Sequence, residues 1–111
     1  MFDSEFIRIV KGDIKNRFPD ITDQEVSIMI QVCNVLDFLE ADSAFMEIYH
    51  KSRNINELFR DSFRLTKMVL DDSEIKIKEV EEKKDKRVKD LRFLSMLHNV
   101  KEFLITYKDL L

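Results

Sequence analysis

An all-α fold, a compact bundle of four to five helices, is predicted by three observations. The chain of 111 residues holds one Gly and one Pro, too few turn formers for the many short connections of a β architecture. Apolar residues recur at helical spacing along nearly its whole length. Charged residues make up 37% of the sequence yet leave a net charge of only -3, so both signs are interspersed, as on the solvent faces of amphipathic helices. A chain of this size forms one domain, 1–111, with a single core that needs no disulfide or metal staple.

Thr22 to Glu40, TDQEVSIMIQVCNVLDFLE, is expected to be the buried central helix, the second in chain order. Val26, Ile28, Met29, Ile30, Val32, Cys33, Val35, Leu36, Phe38 and Leu39 decorate every side of it, and a helix apolar all round belongs inside other helices. Thr22 and Glu25 have the spacing of a capping box, and Ile21 can staple to Val26. Pro19 stands upstream, where it stops the preceding helix from running on.

The first helix is expected from about Ser4 to Phe18 with Asp3 as N-cap. Phe2, Phe6, Val10, Ile14 and Phe18 recur every fourth residue, widened by Ile7 and Ile9, and Arg8, Lys11, Lys15 and Arg17 lie opposite. Gly12 in its middle costs about 1 kcal/mol of helix propensity; it marks a close helix contact or a local weakness. After the central helix, Ala41-Asp42-Ser43 reads as a kink or a new cap. A short helix follows from about Ala44 to Lys51, with Phe45, Ile48 and Tyr49 inward. Ser52-Arg53-Asn54 breaks it, and Asn54 with Glu57 opens a fourth helix from Ile55 to about Leu70.

The last helix is expected from Glu74 to Leu110, a long C-terminal rod of roughly 55 Å. A short connection makes it an antiparallel partner of the preceding helix, unless the two fuse. Its second half carries a seam, Phe93, Leu97, Val100, Leu104, Tyr107 and Leu111, broadened by Leu94, Met96 and Phe103. Its first half, 78–90, has only Val80 and Val88 as apolar residues. Charge pairs Glu79 to Lys83, Glu82 to Lys86 and Asp85 to Lys89 let that stretch be helical in water, so it can project from the globule or bend back.

Few residues suggest chemistry. Lys83, Lys84, Lys86, Arg87 and Lys89 form a basic run that could touch nucleic-acid phosphates, but acidic residues interleave it and no aromatic side chain within it offers a base a stacking face. The overall charge balance argues against a generic nucleic-acid or anionic-membrane binder. Glu47 and His50, in EIYH, have the Glu-x-x-His spacing of carboxylate-bridged metal bundles. A full ligand set would need that motif twice, and none is read, so no metal or cofactor is expected. Arg92 and His98, in RFLSMLH, resemble the loose Arg-then-His spacing of HEPN-type ribonucleases, small helical bundles that dimerise around that pair. The resemblance covers two residues and implies His as acid or base and Arg on the phosphate. One glycine cannot build a phosphate loop or a nucleophile elbow.

Cys33 within the central helix reads as a core residue in a reducing compartment. The acidic start, MFDSEF, lacks a secretory signal, and Gln31, Asn34 and Asp37 interrupt the most apolar segment, so a cytoplasmic protein is expected. Nine Phe residues give so small a bundle more apolar surface than its interior needs. The expected function is therefore non-enzymatic: a dimeric or complex-embedded adaptor, assembly factor or inhibitor. It would pack Phe93, Leu97, Val100, Leu104 and Tyr107 against a protein partner or a second copy.

Overall fold

The computed structural model describes residues 4–110, Leu110 by its backbone alone. They form α1 (Glu5–Arg17), α2 (Asp23–Phe38), α3 (Asp42–Lys51), α4 (Ile55–Asp72), α5 (Glu74–Glu82) and α6 (Val88–Thr106), then a 3-10 turn at Lys108–Leu110. No strand occurs among the described residues. The radius of gyration is 13.7 Å, near the value of about 13 Å for a compact domain of this length.

α1, α2 and α4 each begin where the chain offers a side-chain acceptor at the N-cap. Ser4 accepts from the Ile7 N–H at 3.3 Å and caps α1; the cap expected at Asp3 lies outside the described residues, as do Phe2 and Leu111. At α2 the capping box closes in both directions, with Thr22 Oγ1 accepting from the Glu25 N–H at 3.1 Å and Glu25 Oε1 accepting from the Thr22 N–H at 2.9 Å. Asn54 Oδ1 accepts from the Glu57 N–H at 2.9 Å and opens α4. These bonds satisfy amide donors that a helix N-terminus otherwise leaves without partners.

The end of α2 is a Schellman turn. The Ala41 N–H donates to the Leu36 carbonyl at 2.8 Å and the Glu40 N–H to the Asp37 carbonyl at 3.0 Å. Glu40 takes the left-handed conformation, φ 61°, that glycine usually occupies there. The chain then enters α3 two residues earlier than expected, at Asp42.

Burial follows from the apolar patterning. Ile28, Met29, Val32, Cys33, Val35 and Leu36 of α2 are buried, and α2 touches α1, α3, α4 and α6. On α1, Phe6, Ile7, Val10 and Ile14 are buried, while Ile9 is half exposed. Arg17 ties α1 to the end of α3: its guanidinium donates to the carbonyls of Tyr49, His50 and Ser52. It also lies 4.7 Å from the Tyr49 ring centre, a cation over an aromatic face. Tyr49 is fully buried, and its hydroxyl donates to Asp13 Oδ2 at 2.7 Å.

The C-terminal third departs from the single rod expected. α4 continues into α5 across Ser73, whose N–H donates to Val69 O at 2.9 Å and whose carbonyl accepts from the Ile77 N–H at 2.9 Å. The helix then stops at Glu82, and 83–87 form a non-helical joint before α6. The stretch 78–90 is therefore neither one helix nor a spur of it. α5 buries only Ile77 and Val80, too narrow a stripe to carry a long partner helix. α6 packs instead on α2, the most extensive helix pair in the fold, because α2 has apolar residues to offer on that side as well.

Candidate functional site

An open cleft of about 630 Å³ lies between the end of α2, α5 and the start of α6. Its floor is the stacked pair Phe38 and Phe93, with ring centres 4.0 Å apart and planes 15° from parallel, joined by Val80 and Met96. Charged groups of both signs line it, and several of them hold helix ends in place. Lys76 Nζ lies 5.6 Å from the Phe38 ring centre and donates to the Phe38 carbonyl at 3.3 Å, a cation where the α2 dipole is negative.

Asp90 organises the opposite wall. Its side chain is buried, and Oδ2 accepts from the Arg87 N–H and from Lys83 Nζ, both at 3.0 Å. The Arg87 amide and then the Lys83 ammonium hold its carboxyl below the usual range. Lys86 Nζ donates to the Lys83 carbonyl at 2.8 Å and closes the joint on itself. Asp37 responds the other way: partial burial, and then the charge of Asp42, push its carboxyl up.

The basic run thus folds as a joint, not as a helix face. Lys83 meets Asp90 and Lys86 meets a backbone carbonyl, in place of the expected pairs with Glu79 and Glu82. Lys84, Arg87 and Lys89 are exposed. Asp90 is the residue that sequence reasoning passed over. Counted among the solvated charges, it is the acceptor at the third position of α6, and its spacing from Arg87 was the available signal.

The seam of α6 is closed by the chain itself. Phe93, Leu97 and Val100 are buried in the core, so they have no face left for a second chain. Leu104 and Tyr107 are half-buried, and the Tyr107 ring lies 5.5 Å from that of Phe63 and 6.1 Å from that of Phe59. α2 and α4 cover the side of α6 that carries these residues. The opposite side of α6 is open, with Val88 63%, Leu91 54% and Ile105 64% exposed. Met68 and Ile75 are exposed on α4 and α5.

The remaining motifs do not assemble. Glu47 pairs with Lys51 at 2.8 Å on the surface of α3, and His50 is exposed with its ring edge-on to Tyr49. Among the described residues, no group of three His, Cys, Asp or Glu side chains is placed to hold a metal ion. Arg92 lines the cleft, whereas His98 is exposed and is not among the cleft residues. Cys33 is buried and free, and burial pushes its thiol up, which keeps it protonated. No helix of the described residues is long and apolar enough to cross a membrane. No protein-family model, curated protein or solved structure matches this chain.

Proposed function

We propose that this protein is a non-enzymatic helical adaptor, assembly factor or inhibitor that works by packing a helix against a partner chain. The observation that carries the reading is the outer face of α6, where Val88, Leu91 and Ile105 are each more than half exposed although the seam behind them is filled. Large apolar side chains gathered on one open helix face favour association, since covering them removes roughly 25 cal/mol of unfavourable hydration per Å². The helix itself is held in place by its core side, so the surface is offered on a rigid element.

A second reading, nucleic-acid binding, is favoured by the exposure of Lys84 and Arg87 on the joint and of Lys89 in the first turn of α6. Capture from the native cell separates the two. The protein reading expects a partner that survives nuclease treatment and is lost with Leu91→Arg plus Ile105→Arg. Capture abolished by nuclease, and by neutralising Lys84, Arg87 and Lys89, would overturn it in favour of the second.

A further inference from the structure

We propose that the joint 83–87 is a hinge through which two copies of this chain exchange α6: bent, it lays α6 on its own α2, and straightened it makes one helix of 74–106 that lays α6 on the α2 of the second copy. The outer face of α6 plays no part in the exchange. The joint carries a helical sequence in a bent conformation. From Glu74 to Thr106 the chain has no Gly and no Pro, and Glu79 with Lys83, Glu82 with Lys86 and Asp85 with Lys89 stand in the order and at the spacing that support a helix. The bend rests instead on a few side chains: Asp90 accepts from the Arg87 N–H and from Lys83 Nζ, and Lys86 donates to the Lys83 carbonyl. Each of the two conformations thus has its own set of bonds.

The occupant follows from packing already present in the single chain. α6 docks chiefly on α2, burying Phe93, Leu97 and Val100, with Tyr107 against Phe59 and Phe63 of α4. An α6 of the same sequence from another copy makes those contacts unchanged, so exchange keeps the core and alters only the joint, a low-cost route from a monomer to a two-fold dimer. A helix continuous from Glu74 to Thr106 is about 50 Å long, and the angle between α5 and α6 in the bent chain becomes the angle at which two such helices cross. The crossing brings 78–90 of one copy past 78–90 of the other. Read outward from Lys84, the residues are KEEVEK toward the N-terminus and DKRVKD toward the C-terminus. Every charged residue in them is mirrored by one of opposite sign, and Val80 by Val88; only Lys84, on the axis, meets its like. Equal spacing about a midpoint is automatic in any sequence, but opposite sign at each charged pair is not, and like charges there would oppose the crossing. Val88, 63% exposed in the bent chain, is covered at the crossing.

Full-length chains carrying Gln31→Cys or Asn99→Cys separately test the exchange, because Asn99 Nδ2 donates to Gln31 Oε1 at 2.7 Å across the α2–α6 contact and Cys33 is buried with its thiol kept protonated. The two chains are mixed in urea, refolded together and treated with a short bis-maleimide. Refolding at a concentration on the order of 100 µM should give a covalent 31-to-99 dimer of one chain of each kind, and refolding at about 1 µM almost none. Both substitutions on one chain supply the reference, a monomer that links within itself. Lys84→Pro should cut the dimer about a hundredfold, since proline breaks a helix interior. It should leave the monomer's helix content by circular dichroism unchanged, because Lys83 already has the extended backbone, φ -61° and ψ 129°, that a residue before proline prefers. Asp90→Ala removes the bonds that hold the bend and should raise the dimer share about tenfold. A wild-type chain that stays monomeric after refolding at the higher concentration, a dimer in which 31 and 99 link only within one chain, or a dimer undiminished by Lys84→Pro would overturn the exchange. The second of these, a dimer through another face, would leave the partner-binding reading of α6 intact.

Discussion

Gly12 and Glu40 hold each other's natural places. Gly12 sits inside α1 with nothing within 4 Å of where a Cβ would stand, so no close contact requires it and its helix propensity is simply poor. Gly12→Ala is expected to stabilise the fold by about 1 kcal/mol, read as a higher urea midpoint at unchanged slope. Glu40, in contrast, occupies the left-handed position of the α2 Schellman turn. A glutamate there gives no sequence signal, which is why that turn read only as a kink or a cap. Asp37 carries a pH-dependent cost. Its folded-state carboxyl is pushed up by burial and by Asp42, so the folded chain binds that proton more tightly than the unfolded chain. Its contribution is unfavourable at neutral pH and is relieved as pH falls through the carboxylate range. Asp37→Asn should raise stability at pH 7 and lose that advantage toward pH 3, measured by urea unfolding at each pH; an equal gain at both would refute the assignment. Asp90 has the opposite sign, stabilising at neutral pH and losing its contribution below the usual carboxylate range.

At the scale of the helix, the sequence was most legible where a local rule has one outcome. The capping box at Thr22 and the cap at Asn54 stand where their spacing set them, and the all-helical class follows from periodicity with so little Gly and Pro. It was least legible where local rules tolerate two outcomes. The charge pairs of 78–90 suit a helix, yet the chain breaks at 83–87 because Asp90 accepts from Arg87 and Lys83 and fixes a new helix start. Likewise, the α6 stripe is apolar whichever surface covers it, and patterning alone could not say that α2 would. The two faces of α6 should therefore respond differently to truncation. Leu97→Ala, on the buried side, is expected to cost about 2–5 kcal/mol. Leu91→Ala should stay within about 0.5 kcal/mol in the dissociated chain. Chemical denaturation at low protein concentration decides, and similar costs at the two positions would contradict the placement of the core.

The whole molecule is built around α2, which touches four other helices and leaves few apolar residues of its own exposed. Its success in covering the α6 seam changes where association can occur. Much of the apolar surplus expected from composition is absorbed by the core, and among the described residues the part left open is confined to a few places, of which the outer side of α6 is the longest on one helix. The most direct test is photo-cross-linking in the source cells, with a benzophenone side chain at position 91 and, as the control, at position 97. Function through the outer face of α6 predicts a discrete protein adduct from 91, whether a second copy or another chain, and none from 97. Silence at 91 with an adduct from 97 would place the partner on the side assigned here to the core and contradict the account.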